Sequence, residues 1–240
     1  MPLPKAKTPK SNDINSYTYL IYGEPKVGKT TFASKYPNAL FIATEAGHKF
    51  VEVYQTNPKS WTDIKKTARE LLTEEHDYKT VVIDTADNMV MMVARSVCNQ
   101  MNLQHEADAD FGKAYSRIKQ EIMDVVSALT RHGLGVVFIS HVDMRETTMH
   151  QNVSDGKGGH RLTEVKSKMI DATLSGSAKK IIRGLCDMIF YCYIDDNSKR
   201  WIRTKQTESI MAGDRSGKLP AVMPLDYEKF ENELKKQIEE

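Results

Sequence analysis

One short segment constrains the fold of this chain more than any other: Gly23-Glu24-Pro25-Lys26-Val27-Gly28-Lys29-Thr30. It matches the pattern G-x-x-x-x-G-K-[ST], and it stands between an apolar run, residues 17–22, and a helix-compatible run, residues 29–35. Glycines let a backbone turn tightly around an anion, and free N–H groups at the start of a helix attract phosphate. The sequence therefore predicts a strand, a phosphate-binding loop and a helix, in that order.

This loop predicts that the chain binds a nucleoside triphosphate, with ATP as the expected nucleotide and Mg²⁺ beside it. Lys29 would reach the β- and γ-phosphates, and the Thr30 hydroxyl would bind Mg²⁺. Asp84 ends the apolar run Thr80–Asp84 and is the expected carboxylate for Mg²⁺, directly or through water. The expected nucleotide-binding residues are Gly23, Glu24, Pro25, Lys26, Val27, Gly28, Lys29, Thr30 and Thr31.

The remaining pattern predicts an α/β fold. Apolar runs that read as strands alternate with segments whose apolar residues recur at helical spacing. The strand-like runs are 17–22, 39–43, 80–84 and 135–140, and the helical segments include 61–72, 87–101 and 113–131. Strands that are apolar throughout indicate a mostly parallel sheet covered by helices on both faces. Near the C-terminus, residues 187–194 and 200–205 predict an antiparallel hairpin.

We expect one domain with two appendages. The α/β domain would span residues 17–226, preceded by a flexible basic arm over residues 1–16 and followed by an amphipathic helix over residues 227–240. Residues 143–180 are polar, contain glycines and lack long apolar runs. A segment of that length without structure is usually functional in a compact domain, so we expect a long functional loop there.

Composition excludes several classes of protein. Of the 240 residues, 40% are hydrophobic and 28% charged, which is typical of a globular chain rather than a disordered one. The longest apolar runs are far shorter than the roughly 18 residues of a membrane span, so we expect no membrane partner. Three cysteines without C-x-x-C spacing argue against a zinc site or a disulfide scaffold and favour the cytoplasm. The formal net charge of +2 means that any nucleic-acid contact would be local.

The residue after Asp84 limits the classes of nucleotide-binding protein to which the chain could belong. It is Thr85, so the Asp-Glu pair of many ATPases is absent, and a hydrolase would need its water-orienting carboxylate elsewhere. Glu45, just past the second strand, is the natural candidate, because the carboxyl ends of strands gather at the ligand site of an open parallel sheet. A solvated acid on a loop is the alternative. GTPases are disfavoured, since neither Asp-x-x-Gly at Asp84 nor Asn-Lys-x-Asp is present.

Together these features resemble the RecA-type ATPase core. More narrowly, four segments resemble a phage-encoded group of short ATPases made of that core alone, whose members are regarded as single-strand-annealing recombination proteins. The segments are Phe-Gly-Lys-Ala-Tyr (111–115), Val-Val-Phe-Ile-Ser-His (136–141), Arg-x-Lys (203–205) and Ala-Gly-Asp-Arg-Ser-Gly-x-Leu-Pro (212–220). The resemblance implies ATP hydrolysis, single-stranded DNA as a partner, and self-assembly into a ring or filament with nucleotide between subunits. It also points to a single-stranded-DNA-binding protein as a partner, and to the host cytoplasm.

The resemblance assigns roles to individual residues. Glu45 would orient the attacking water, and His141, which ends the fourth strand where a Gln is common, would sense the γ-phosphate. Lys205 and Arg203 would reach the nucleotide of a neighbouring subunit and neutralise charge on its γ-phosphate. Two solvent-facing charges on a hairpin strand are the alternative interpretation, and Arg215 is a weaker third candidate.

By the same resemblance, residues 143–180 occupy the place of a DNA-binding loop. Between residues 157 and 168 there are four basic residues and one acid, Glu164. Such a strip can follow phosphates without reading bases, although this one has no aromatic residue on which a base would stack. The expected DNA contacts are Lys157, Arg161, Lys166 and Lys168.

Two other functions fit the same sequence. A nucleotide-switched replication accessory, similar to a helicase loader, would keep the nucleotide site but hold a protein partner with residues 143–180. The lack of aromatic residues there favours this alternative. A small-molecule kinase would require an Arg-rich lid, and only scattered arginines follow residue 141.

Overall fold

The computed structural model describes residues 3, 5–7, 13–154 and 160–239, and among these the side chains of 147–154, 160–167 and 237–239 are left undescribed. The strands are β1 (Thr18–Gly23), β2 (Ala39–Ala43), β3 (Tyr54–Thr56), β4 (Thr80–Asp84), β5 (Gly135–Ser154), β6 (His160–Ala172), β7 (Met188–Ile194), β8 (Arg200–Arg203), β9 (Gly213–Asp214) and β10 (Val222–Pro224). The helices are α1 (Lys29–Ala33), α2 (Trp61–Thr73), α3 (Ala86–Gln100), α4 (Lys113–Arg131), α5 (Gly176–Leu185) and α6 (Tyr227–Glu239). Short 3-10 turns cover Ile14–Ser16, Glu106–Asp108 and Asp110–Gly112.

The central sheet has the order β10-β8-β7-β1-β5-β4-β2-β3. From β7 to β3 all neighbours run parallel, whereas β8 and β10 continue the sheet as antiparallel strands. Strand β1 lies between β5 and β7, and β5 separates it from β4, the strand that ends in Asp84. This is the mostly parallel sheet that the sequence predicts, with antiparallel strands added at one edge.

The sheet is buried on both faces because its strands are apolar throughout. Successive side chains of a strand point to opposite faces, so Leu20 and Tyr22 join one core while Tyr19 and Ile21 join the other. The first core is completed by apolar residues of α2, α3, α4 and α5. The second is completed by α1 and α6, among them Phe32 and Phe230. Two helical layers therefore hold the sheet and the loops at its carboxyl edge.

The N-terminal boundary differs from the expectation of a flexible arm over residues 1–16. Ile14 is buried in the second core, and its carbonyl accepts a hydrogen bond of 2.8 Å from Tyr19 Oη. The Asp13 side chain caps the turn that follows it. Residues 13–16 therefore belong to the folded domain.

Residues 143–180 do not form the long loop that the sequence predicts. Strand β5 continues beyond the sheet, and from Val142 to Ser154 it pairs antiparallel with β6, which is followed by α5. We call this two-stranded ladder, residues 142–154 and 160–172, the β5–β6 arm. The expectation was wrong because the many polar residues of this segment read as a loop, whereas its Val and Thr residues still favour extended backbone.

Among the described residues, no helix combines the length and apolar character needed to cross a bilayer.

Candidate nucleotide site

The phosphate-binding loop joins the end of β1 to the start of α1, and two of its glycines are required by geometry. A Cβ on Gly23 would lie 2.1 Å from the Cys192 carbonyl oxygen of the neighbouring β7. Gly28 has φ +113°, a conformation that side chains other than glycine rarely adopt. These positions let the loop lie tightly against the sheet edge.

Lys29 is buried within this loop. Its Nζ donates hydrogen bonds to the carbonyl oxygens of Gly23, at 2.8 Å, and Glu24, at 2.9 Å. Burial lowers the pKa of the ammonium from its ordinary value, while nearby acidic groups, Cys192 and Asp84 first among them, oppose the shift. Because both hydrogen-bond acceptors are neutral, the positive charge of Lys29 is available to an anion in the loop.

The two expected Mg²⁺ ligands meet at the edge of the sheet. Thr30 Oγ1 donates to Asp84 Oδ2 at 2.8 Å, although the residues are 54 positions apart in the chain. A hydroxyl and a carboxylate oxygen are hard oxygen donors, and Mg²⁺ is bound in phosphate-transfer sites by one or two such groups together with substrate phosphates. The residues present therefore fit a magnesium–nucleotide site.

Glu45 and His141 face each other across the same edge. Glu45 follows β2, and its Oε2 lies 3.9 Å from His141 Nε2 and 3.5 Å from Asn88 Nδ2. Thr44 fixes the start of this segment, because its N–H donates to the Asp84 carbonyl at 2.8 Å. Both Glu45 and His141 are partly exposed, so a ligand in the loop can reach them.

Asp87, at the start of α3, is hydrogen-bonded to β5 at the point where this strand leaves the central sheet. Its carboxylate accepts from Ser140 Oγ at 3.1 Å and from the His141 backbone N–H at 3.3 Å. His141 is also opposite Gly23 in the β1–β5 ladder. The contact sets the position of His141 relative to the loop, and sequence reasoning missed it because Asp87 reads as an ordinary first-turn acid.

His48 is a second residue that sequence reasoning missed. Its Nε2 lies 3.1 Å from Asp84 Oδ2, and the two side chains are 6% and 5% exposed. The imidazole also packs edge-on against Phe41, with 5.5 Å between ring centroids. No spacing rule relates His48 to Asp84, so only the folded chain brings them together.

The expected cations of a neighbouring subunit lie on the opposite side of β1. Lys205 Nζ is 3.4 Å from Asp214 Oδ2, and Arg215 is bound to Asp187 at 3.0 Å and to the Gly184 carbonyl at 2.7 Å. Burial alone would raise the pKa of Asp214, but hydrogen bonds from Ser216 and Leu219 and the charge of Lys205 hold it below its ordinary value. Arg203 lies on β8, and its buried Nε has no hydrogen-bond partner among the described atoms. The structure thus places Lys205 and Arg215 in ion pairs of their own chain.

The expected DNA contacts are only partly described. Lys157 lies outside the described residues, and so do the side chains of Arg161 and Lys166. Lys168 is exposed and stands opposite Glu146 in the β5–β6 arm.

A cavity of about 540 Å³ adjoins the loop on the side of α1 and α6. Arg200 and Leu225 border it, and each would lie 3.4 Å from a Cβ placed on Gly28. Thr31, Lys35 and Asp226 also line the cavity. A small ligand held by the loop would therefore have neighbouring space with both apolar and charged walls.

Fold and site define a P-loop nucleotide-binding protein. Residues 15–216 match the AAA domain family, and the chain belongs to that family. It is 27% identical over 127 residues to the SPbeta prophage-derived uncharacterized protein YorG of Bacillus subtilis (strain 168). That stretch covers 50% of this chain and 39% of the relative, so the match spans well under half of the relative's length. The crystal structure of the RadB recombinase aligns with a TM-score of 0.42 and 13% identity, over 79% of this chain and 80% of RadB.

Proposed function

We propose that the protein is a Mg²⁺- and ATP-dependent RecA-like ATPase that binds single-stranded DNA and promotes its annealing in phage recombination. One observation carries the catalytic part of this proposal. Five residues gather at the carboxyl edge of the central sheet: Lys29, the Thr30–Asp84 pair and the Glu45–His141 pair. This set contains a phosphate-binding cation, a magnesium pair and a carboxylate for water, as ATP hydrolysis requires.

The chain's own residues have separate tasks in this reaction. Backbone N–H groups of the loop and the Lys29 ammonium bind the β- and γ-phosphates. Thr30 and Asp84 would hold Mg²⁺, which neutralises charge on those phosphates when it is bound. Glu45 accepts a hydrogen bond from a water molecule and directs its oxygen at the γ-phosphorus, and the bond from that phosphorus to the β–γ bridging oxygen breaks. His141 Nε2 lies 3.9 Å from Glu45, and it would contact the γ-phosphoryl oxygens.

The cavity beside Gly28 supports nucleoside binding in the same site. Its volume of about 540 Å³ is within the range of small-molecule pockets. Leu225 offers an apolar wall for a base, while Arg200 and Asp226 offer a donor and an acceptor for its edge or for the ribose. We propose that these residues bind the nucleoside of ATP.

The proposed trans role of Lys205 and Arg203 requires an assembly. Lys205 would exchange its contact with Asp214 for a phosphate of the neighbouring subunit. Arg203 would reach that phosphate through its terminal guanidinium nitrogens, because its Nε is buried. Self-assembly as a ring or filament is therefore part of the proposal.

Continuity between the nucleotide site and the arm supports DNA binding that responds to ATP. Strand β5 passes through His141 directly into the β5–β6 arm, which begins at Val142. A shift of His141 on hydrolysis would therefore act on the arm through a continuous backbone. The arm carries three of the four expected basic residues, Arg161, Lys166 and Lys168, and similarity to a prophage-derived protein supports a phage origin.

Single-stranded DNA binding tests this proposal, measured by fluorescence anisotropy with Mg²⁺-ATP, without nucleotide and across a salt series. We expect binding that requires ATP and weakens steeply with salt, because each phosphate contact releases counterions. Annealing of complementary labelled strands is then measured under the same conditions. ATP turnover without DNA binding under any condition would contradict the recombination role.

A nucleotide-switched accessory protein that binds a protein partner is the second candidate. Met144 on the β5–β6 arm favours it, since this apolar side chain is 54% exposed and would contribute more to a protein interface than to phosphate binding. The DNA measurement separates the two functions.

A further inference from the structure

His48 has a contact that neither phosphate binding nor water activation explains. It lies in the segment between β2 and β3, three residues after Glu45, yet its side chain is almost wholly buried against Asp84. Histidine is intermediate between buried and exposed residue types, and a buried one needs hydrogen-bond partners. The placement therefore calls for a function at the Asp84 carboxylate.

The direction of the hydrogen bond follows from the acceptor. A carboxylate only accepts, so the His48 nitrogen that faces Asp84 Oδ2 at 3.1 Å carries the proton and donates it. Thr30 Oγ1 donates to the same oxygen at 2.8 Å. Two donors on Oδ2 fix the rotation of the carboxylate, and neither bond uses Oδ1.

The same contact fixes the segment that carries Glu45. Thr44 is tied to Asp84 by its backbone N–H, and Thr44 Oγ1 also exchanges hydrogen bonds with the Thr85 backbone at 2.8 and 2.9 Å. His48 ties the segment to Asp84 a second time, four residues later. Glu45 lies between these two attachments, so its position depends on both.

We propose that His48 is a positioning residue that holds the Asp84 carboxylate and the Glu45 segment in one arrangement, and so sets the affinity of the nucleotide site for its divalent cation. This inference rests on the proposed function, because it assumes a cation bound with nucleotide at Thr30 and Asp84. Partners that orient metal ligands from outside the coordination sphere typically change metal affinity by about 10–100-fold when they are removed.

The test is the Mg²⁺ concentration that half-saturates binding of a fluorescent ATP analogue to the full chain. Three variants separate hydrogen bonding from packing: His48→Ala removes both, His48→Phe keeps a ring against Phe41 without a donor, and His48→Gln keeps an N–H donor. We expect the half-saturating Mg²⁺ concentration to rise about tenfold in the Ala and Phe variants and to return towards the wild-type value in the Gln variant. Nucleotide binding in excess chelator should be the same in all four proteins.

His132→Ala is the matched control, because His132 is an exposed histidine at the end of α4. It should leave the Mg²⁺ requirement unchanged. If His48→Ala does not fold, as judged by thermal unfolding, the comparison of Phe with Gln still decides the outcome.

Two results would overturn the inference alone: a wild-type Mg²⁺ requirement in every variant, or a His48→Phe protein that matches the wild type. In either case wild-type protein would still bind Mg²⁺-nucleotide, and the proposed function would stand. Wild-type protein that binds no nucleotide would overturn the proposed function, and the inference with it.

Discussion

The nucleotide site and the β5–β6 arm are built in opposite ways. At the nucleotide site, Lys29 and Asp84 are both buried. Lys29 donates to two carbonyl oxygens of the loop, and Asp84 accepts from the side chains of Thr30 and His48. In the arm, β6 pairs with β5 and with no other strand of the described chain. Rigid, preorganised groups suit chemistry at a phosphate, whereas a ladder that continues beyond the central sheet suits contact with a large ligand.

The two regions nevertheless share a fixed junction. Tyr22, the residue before the phosphate-binding loop, donates its hydroxyl hydrogen to the Met211 carbonyl, and its Oη also lies 3.4 Å from the carbonyl oxygen of Ile170, at the base of β6. Asp171, the next residue, forms ion pairs with Lys179 and Arg183 of α5. The base of the arm is thus fastened beside the loop, which lets a change at one region reach the other.

The largest expected effect is loss of nucleotide binding in Lys29→Ala. Hydrogen bonds to charged groups contribute about 1.5–3 kcal/mol each, so removing the ammonium should weaken ATP binding about 100-fold or more. Equilibrium binding of a fluorescent ATP analogue measures this. Lys79→Ala is the matched control, because Lys79 is an exposed lysine directly before β4 and outside the loop. Equal ATP affinity in the two variants would contradict the assignment of Lys29 to the nucleotide site.

The next effect separates binding from hydrolysis. Glu45→Gln keeps the shape of the side chain but cannot take up a proton, so turnover should fall about 100–10,000-fold while ATP affinity stays near the wild-type value. Phosphate release gives the first quantity and nucleotide titration the second. Glu52→Gln, an exposed acid of the same segment, should hydrolyse ATP at the wild-type rate. Unchanged turnover in Glu45→Gln would move the water-orienting group elsewhere.

The sequence predicts those parts of the candidate site where chemistry requires fixed spacing along the chain. Gly23 to Thr30 form a contiguous motif, and Asp84 ends an apolar strand, so both are visible before folding. His48, Asp87 and Arg200 were not predicted, because tertiary contacts alone give each of them its place. Lys205 and Arg203 were assigned by resemblance, and their role in a neighbouring subunit stays a prediction.

The arm should give a smaller effect that leaves ATP binding untouched. Replacing Lys157, Arg161, Lys166 and Lys168 with Ala should weaken single-stranded DNA binding. It should also reduce the slope of log affinity against log salt by about 3, since each single-strand phosphate contact contributes about 0.7. Anisotropy titrations from low to high salt measure both quantities. An unchanged slope would assign the DNA contacts to another surface.

A variant with the same change in charge controls for long-range electrostatics. Replacing Lys59, Lys66, Arg69 and Lys119 with Ala removes four exposed charges before or on α2 and α4, away from the arm. This control should lower DNA affinity only slightly and leave the salt slope near the wild-type value.

The arm itself was the main error of sequence interpretation, for a physical reason. Helices α2, α3 and α4 each bury one face, so their apolar residues recur at helical spacing in the sequence. These helices begin and end within two residues of the predicted positions. The segments that form the arm contain many polar residues, so they read as a loop. Two sequence features could have predicted a hairpin. Residues 142–154 contain Val and Thr, which favour strands, and glycines follow at 156, 158 and 159.

The smallest expected effect concerns one position of the arm, where Glu146 stands opposite Lys168. Opposite charges facing each other across an antiparallel ladder contribute roughly 0.2–1 kcal/mol, so Glu146→Gln should lower the free energy of unfolding by no more than that. The same change removes a negative charge from the proposed DNA surface and should tighten single-stranded DNA binding about twofold at low salt. Denaturant unfolding and anisotropy measure the two quantities, with Glu75→Gln, an exposed acid far from the arm in the chain, as the control. Weaker DNA binding in Glu146→Gln would mean that this face of the arm does not lie against phosphates, and it would favour the protein-partner function.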